Sequence, residues 1–324
     1  MKFVIDKEIN MVTILMAVYN GEEYIEKQLQ SIKEQTYSNW RLIVRDDLSN
    51  DRSMQILEEF KNNVSNEVII KQNNPGSGSA KNNFARLLND AADSEYIMFS
   101  DQDDIWKRDK IKRTLNAMKK LEHNNKDVPL LVHGDVEVVD VSGNIMAGSM
   151  FELSHIPAVQ SLSGLLIQNN VTGCTMMINS ALLNSVKNIA GDERIIMHDY
   201  LMALYAAVFG KTAVIDKPLL SYRQHGDNSV GAKNNNSISY LISRLKDGRK
   251  QYKDAMNASR RQIALFLEAY GSDMKKNNKL EEYSLMKKYS DSGSYNHLKR
   301  IWFYCKYRVW KNGFIRKIMQ CIWG

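Results

Sequence analysis

Cysteine is scarce in this chain of 324 residues: Cys174, Cys305 and Cys321 stand far apart, and no Cys-x-x-Cys pair occurs. That excludes a disulfide framework and a structural zinc site, and it suits a reducing compartment. Long apolar runs are also missing. None approaches the ~20 residues needed to span a bilayer, and Met1 to Asn10 hold no apolar core of signal-peptide type. The expected location is the cytoplasm, peripheral to the inner face of the plasma membrane. No Gly-x-Gly-x-x-Gly follows the first apolar stretch and no Walker loop occurs, so the usual dinucleotide and P-loop readings lack their motif. Acidic residues run out beyond Asp291, where seven Lys and Arg remain. The net charge of +7 therefore hides an asymmetry. Residues 1–232 hold 24 Lys and Arg against 30 Asp and Glu, whereas 233–324 hold 20 against 7. A one-sided distribution of this kind points to a polyanionic partner. No nucleic-acid-binding motif accompanies it, so nucleic acid is not the expected one.

What is present is an alternation of apolar strands and amphipathic helices. Val12 to Val18 is nearly all apolar and reads as a central parallel strand covered on both faces. Asn20 is the expected cap of a helix carrying Ile25, Leu29 and Ile32, with Glu22 and Glu23 in its first turn. Arg41 to Val44 is a second strand. Ser49 or Asn50 is the expected cap of a helix carrying Ile56, Leu57 and Phe60. Glu67 to Lys71 is a third strand, followed by a Pro75-Gly76 turn and a helix with Phe84, Leu87 and Leu88. Polar residues gather where the strands end. This is the pattern of an open, mostly parallel α/β sheet, in which ligands bind outside the carboxyl ends of the strands.

The fourth apolar run, Tyr96 to Phe99, leads straight into Asp101, Asp103 and Asp104. Burying that much negative charge is costly unless a cation compensates it. In an extended segment residues i and i+2 point the same way, so Asp101 and Asp103 converge on one ligand. A divalent ion, Mg²⁺ or Mn²⁺, carrying a diphosphate fits this pattern. The bland alternative is a solvated acidic turn with Asp104 as the N-terminal charge of the next helix.

The second half is less regular. Leu130 to Asp140 alternates as strands, and Val171 to Ile178 reads as one more apolar strand. His198-Asp199-Tyr200 opens a helix, Thr212 to Asp216 is a strand, and Gly226 to Ser237 reads as a lid or a linker. His133 and His155 read as structural, Trp106 as packing below the acidic loop, and Asp135 as either lining the site or ending a strand. Beyond this, one helical face carries Tyr252, Met256, Ile263, Phe266, Leu267 and Tyr270. A narrower stripe of Leu298, Ile301, Trp302, Cys305 and Val309 lies opposite Lys299, Arg300, Lys306 and Lys311. Phe314, Ile315, Ile318, Met319, Ile322 and Trp323 continue it. A basic, Trp-bearing amphipathic segment suits an anionic membrane surface; the other reading is a helical pair packed on the rest of the chain.

Four segments in order carry a resemblance: VTILMAVYNGEEYIEKQLQSI, RLIVRDDLSNDRS, NNPGSGSAKNNFARLL and YIMFSDQDDIW. Together they resemble the inverting family-2 glycosyltransferases of GT-A fold. FSDQDDIWKRDKI and HDYLMALYAAVFGKTAVIDKPLLSYRQHGDNSVGA are similar to bacterial rhamnosyltransferases of surface-polysaccharide synthesis. The resemblance covers about residues 11–232. It implies a GT-A nucleotide-sugar-binding and catalytic domain over 1–232, with a mostly parallel central sheet flanked by helices. Residues 233–324 are left as a basic, mainly helical C-terminal region.

The resemblance also implies roles. Ala17 and Tyr19 stand where the first strand end meets the base. Asp46 and Asp47 match a two-Asp turn in which one carboxylate meets the base and the other supports the loop. Lys81 falls where many members carry an Arg facing the nucleotide. Asp101 matches the ribose- and metal-side carboxylate, Asp103 the principal metal ligand, and His225 a position that completes the metal or diphosphate site. Asp199 matches the catalytic base; His198 departs from the acid usual before it. Arg223 is expected to face the leaving diphosphate. The implied reaction moves a sugar, L-rhamnose from dTDP-rhamnose, onto a lipid-linked or oligosaccharide acceptor by a single displacement. A carboxylate must take the acceptor proton as it attacks. The alternatives are a UDP-hexose transferase of the same fold, a nucleotidyltransferase, for which no basic Gly-rich loop is present, and a non-catalytic nucleotide-sugar binder.

Overall fold

The computed structural model describes residues 10–225 and 238–324. The segment 226–237, read above as a lid or linker, lies outside the described residues. The first half alternates: β1 (Val12–Val18), α1 (Ile25–Lys33), β2 (Trp40–Asp46), α2 (Ser53–Asn62), β3 (Val68–Gln72), α3 (Ala80–Asp90) and β4 (Tyr96–Ser100). Next come β5 (Ile105–Trp106), α4 (Lys110–His123), β6 (Leu130–Gly134), β7 (Glu137–Val139), β8 (Ile145–Ala147), α5 (Met150–Ser154) and α6 (Leu162–Leu165). They are followed by β9 (Met177–Asn179), α7 (Ser180–Val186), α8 (His198–Phe209), β10 (Lys211–Ile215) and β11 (Leu220–Arg223). Four helices close the chain: α9 (Ile238–Lys276), α10 (Leu280–Asp291), α11 (His297–Tyr307) and α12 (Phe314–Trp323). No described helix is long and apolar enough to cross a membrane.

Seven strands form one sheet in the order β10-β6-β9-β4-β1-β2-β3. All run parallel except β9, which is antiparallel to β4 and β6. The unbroken apolar character of β1 has a direct cause: both faces of the sheet are covered. Leu15, Ile43, Ile97 and Phe99 pack into one core cluster with α3, α7, α8 and the C-terminal helices. Ile14, Met16, Leu42, Val44 and Met98 pack into the other with α1, α2 and α4. A second sheet, β5-β11-β7-β8, stands beside the first. It ties the segment after the acidic loop to the start of β11.

Several local expectations are corrected. Asn20 does not cap α1; it takes a left-handed backbone, φ 46°, and its side chain accepts from Asn50 N. Ser49 and Asn50 do not cap α2 either, because Ser49 Oγ accepts from Asn20 N. The two loops lock each other instead of starting helices. Val171 to Ile178 is not one strand: Gly173–Thr175 coils into a 3₁₀ turn and only Met177–Asn179 pairs. The apolar stripe read on α11 is also turned around. Phe303 and Tyr304 are buried, whereas Leu298 is 79% and Trp302 56% exposed. The inward placement gives the Tyr304 hydroxyl a partner, the Arg260 guanidinium at 3.0 Å.

Candidate active site

The parallel register brings three strand ends to one line, with Val18 opposite Asp46 and Met16 opposite Ser100. Everything the chain places after β1, β2 and β4 therefore faces a common edge. Ala17 and Tyr19 are at that edge, and the Tyr19 side chain is largely exposed. Tyr19 is held by a residue not singled out in the sequence. Gln102 Oε1 accepts from Tyr19 N at 2.8 Å, and Gln102 Nε2 donates to Tyr19 O at 3.0 Å. The residue between the two aspartates thus ties the acidic loop to the end of β1. Gly21 makes room for it: a Cβ there would lie 2.6 Å from Gln102 Oε1.

The two-Asp turn divides its work. Asp47 takes Asn73 Nδ2 and Ser77 N on one oxygen and Ser77 Oγ and Gly78 N on the other. Burial alone would raise its carboxyl, but the bonds from Ser77, Asn73 and Gly78 hold it below the usual range. It is the loop-supporting carboxylate. Asp46 is fully buried, and its Oδ2 accepts from Ser49 N and Gln72 Nε2. Its Oδ1 has no partner.

At the end of β4 the acidic loop is built in layers. Asp103 Oδ2 lies 2.7 Å from His225 Nε2, and the two side chains are only 15% and 11% exposed. The His225 ring stacks on Tyr24, centroids 5.0 Å apart. Arg223, expected at the diphosphate, is buried; its Nε donates to Asp103 O and its Nη1 to Val141 O, and its guanidinium carbon lies 5.1 Å from the Tyr24 ring centre. It shapes the loop that presents Asp103. Lys81, expected to face the nucleotide, donates to the carbonyls of Asp192 and Glu193 at 3.4 and 3.3 Å. That ties α3 to the segment before α8.

Beneath lies a buried charge cluster. Asp104 is 1% exposed, so it is neither a solvated turn nor the first charge of α4. Neither of its carboxyl oxygens has a nitrogen or oxygen partner. Burial, then Asp103 and Asp101, push this carboxyl well above its ordinary range. Lys110, fully buried, sits 3.1 Å above the centre of the Trp106 ring and donates to Cys174 O at 2.6 Å. Its ammonium is pulled down to about 7 by burial, against the raising effect of Cys174, Asp104 and Asp101. Trp106 packs below the loop, as expected.

Asp199 is the second residue of α8, and its Oδ2 accepts from Gly173 N in the 3₁₀ turn at 3.1 Å. Burial pushes its carboxyl up to about 7 against the backbone bonds from Tyr200 and Gly173. Asp101 is pushed up to about 7 by burial, by Asp103 and by Asp199. The 3₁₀ turn links the two regions: Gly173 N donates to Asp199, and the next residue, Cys174, places its sulfur within 4.8 Å of the Asp101 and Asp104 carboxylates. His198 is buried between the rings of Phe84 and Phe99, at 4.2 and 4.9 Å, and burial lowers it to about 3. It is a neutral packing residue that seats Asp199. Asp135 is structural: its carboxylate collects Val136 N, Met150 N, Phe151 N and Ser149 Oγ at the start of α5.

Among the described residues, one cluster of three offers metal-ligand atoms. Asp101, Asp104 and Cys174 lie within 4.8 Å of one another. Cys174, however, is buried and offers a soft sulfur, whereas Mg²⁺ and Mn²⁺ prefer oxygen ligands. Asp103 and His225 fit a divalent ion better. They are a carboxylate and an imidazole side by side at the mouth of the loop, and substrate oxygens can fill the remaining positions.

The family model for glycosyl transferase family 2 matches residues 13–183. The chain belongs to glycosyl transferase family 2. It is similar to the dTDP-rhamnosyl transferase RfbG of Shigella flexneri, 34% identical over 228 residues, which are 67% of this chain and 74% of that protein. It is also similar to the UDP-Glc:alpha-D-GlcNAc-diphosphoundecaprenol beta-1,3-glucosyltransferase WfgD of Escherichia coli, 29% identical over 175 residues, 54% of this chain and 62% of that one. Among solved structures, S. aureus TarS in complex with UDP-GlcNAc superposes with a TM-score of 0.55 at 18% identity, covering 90% of this chain and 78% of that one. That likeness establishes the fold, GT-A. This family-2 protein is thus a glycosyltransferase, and the nucleotidyltransferase alternative falls away.

Proposed function

We propose that this chain is an inverting, metal-dependent glycosyltransferase of polysaccharide synthesis. In this reading it moves L-rhamnose from dTDP-rhamnose to a lipid-linked glycan at the inner face of the membrane. The observation that carries the reading is the Asp103–His225 contact at the carboxyl edge of the sheet, with Asp199 joined to the same loop through Gly173 and the neighbouring Cys174, which lies beside Asp101. The dTDP-rhamnosyl relative supports the donor. A UDP-hexose donor is the second reading, favoured by the UDP-Glc-dependent E. coli relative. The diphosphoundecaprenol in that relative's name supports a lipid-linked acceptor.

The residues divide the work in order. The edge formed by Ala17, Tyr19 and Asp46 holds the base, and the Asp47-braced loop closes beside it. Asp101 takes the ribose side. Asp103 and His225 hold Mg²⁺ or Mn²⁺, which when bound neutralises charge on the diphosphate. Asp199, ionised, accepts the proton of the acceptor hydroxyl as that oxygen attacks the anomeric carbon from the face opposite the leaving group, which inverts the configuration. Its elevated proton affinity suits a general base, which works best when its pKa lies near the operating pH. Gly173 N and the packed His198 hold the carboxylate in place.

Asp199→Asn tests the reading. The variant should bind donor as the wild type does and lose turnover by about 10²- to 10⁴-fold. Equal turnover would remove Asp199 from the base role. Indifference of a chain that never turns over would leave only a nucleotide-sugar binder.

A further inference from the structure

The C-terminal helices carry an outer face that nothing described covers. On α11 it is Leu298 and Trp302, with Cys305 in line one turn on. On α12 it is Phe314, 75% exposed, with Ile318 and Ile322. Exposed residues of this size, repeating every four positions on two successive helices, are not the scattered apolar residues of an ordinary surface.

These helices do not need that face in order to fold. α11 buries Phe303 and Tyr304, the following turn buries Val309, and α12 buries Met319, all in the core cluster shared with α8 and α9. The two helices are pinned by one side chain: Gln320 Nε2 donates to Val309 O and Gln320 Oε1 accepts from Lys311 N. The outward residues are therefore carried on a rigid hairpin whose inner side is already satisfied.

The charge on these two helices is of one sign. Beyond Asp291 the sequence holds seven Lys and Arg and no acid. Lys299, Lys306, Arg308 and Lys317 are exposed. Lys306 Nζ stands 4.6 Å from the Trp302 ring centre, so indole and cation sit at one level. An apolar stripe at that depth, with ammonium groups beside it, matches a bilayer interface that has acyl chains below and anionic headgroups around.

We infer that the outer face of α11 and α12 docks the protein on an anionic phospholipid surface, with Trp302, Phe314 and Ile322 inserted among the lipids. The occupant is the membrane and not a second copy: helices that bear cations and no acid would repel their own image across a symmetric interface. The inference rests on the transferase reading only for its purpose, which is to hold the site over a lipid-linked acceptor. Its test requires no catalysis.

The experiment is vesicle flotation of the full chain, with phosphatidylcholine alone and with phosphatidylglycerol added, alongside sedimentation velocity without lipid. Binding should be at least about tenfold stronger to the anionic vesicles and should weaken as salt rises from about 0.1 to about 0.5 M. Trp302→Ser combined with Ile322→Ser should reduce it at least about tenfold while leaving the melting temperature in place, since both side chains are outside the core. No preference for anionic vesicles, or unchanged binding by the double variant, overturns the inference. So does a wild-type dimer that ignores vesicles and falls apart in the double variant, which would assign the face to a second copy. Donor binding measured on the same samples reports separately on the transferase reading.

Discussion

Asp103 and His225 stand 122 positions apart in the chain, yet the carboxylate Oδ2 and the imidazole Nε2 are 2.7 Å apart. The contact is built from both ends. Arg223, two residues before His225, grips the main-chain oxygen of Asp103 at 3.1 Å. β11 pairs with β5 directly behind the acidic loop. The pair is a fixed product of the second sheet and not an accident of a loose tail.

The rate should depend on pH through Asp199. Burial holds this carboxyl at about 7, and Asp101 is held there too. The base must be ionised, so kcat/KM should climb about tenfold per pH unit below 7 and level off above it. A pH–rate profile checks this; a flat profile between pH 5 and 8 would contradict it.

Stability should move the other way. A carboxyl whose folded pKa is raised contributes stability that is present below its ordinary pKa and is lost as pH rises through about 7. Asp199→Asn removes that cost. The variant should melt about 2 °C or more above the wild type at pH 8, with the gap closing as pH falls toward 4. Thermal melts at the two pH values decide the matter.

Lys110 should be needed for folding. It is the buried cation beside Asp101 and Asp104, and it also satisfies Cys174 O. Lys110→Met leaves those groups uncompensated and should cost about 3–5 kcal/mol in urea unfolding. A loss below about 1 kcal/mol would show that the acids are already neutral and need no cation.

Gln102 should act on donor affinity and not on folding. Its two bonds to Tyr19 hold the metal loop against the end of β1. Gln102→Ala removes both bonds, and Gly21→Ala drives a methyl to within 2.6 Å of the Gln102 oxygen. Each should weaken donor binding about tenfold, about 1.4 kcal/mol, with little change in melting. If donor affinity is unchanged in both, the clamp is ornamental.

The comparison of sequence and structure divides along a physical line. Strands with strong apolar character were legible because burial on both faces leaves a continuous signature, as in Val12–Val18 and Tyr96–Ser100. The acidic loop and the start of α8 drew notice through the family resemblance, because acids at strand ends and helix starts are common and announce nothing by themselves. Side-chain destinations were not. Arg223 and Lys81 read as cations for a diphosphate, and each also donates to main-chain oxygens far away in the chain. Nothing near them in the chain announces those partners. Gln102 was assigned no role, because nothing beside it in the chain announces its two bonds to the Tyr19 main chain. The stripe on α11 was real as a pattern, but periodicity alone cannot say which of two apolar faces goes inward. Phe303 and Tyr304 took the core, and Leu298 and Trp302 were left outside.

The most direct test of the central claim is calorimetric titration of dTDP-rhamnose and a panel of UDP-sugars, with and without Mn²⁺, into the wild type, Asp103→Ala and His225→Ala. The account predicts that dTDP-rhamnose binds only with the ion. It predicts loss of that binding in Asp103→Ala, and weakening by at least about tenfold in His225→Ala. Preference for a UDP-hexose would keep the mechanism and replace the sugar. Binding of donor that is equally tight without the ion, or untouched by both substitutions, would contradict the claim that Asp103 and His225 form the metal site.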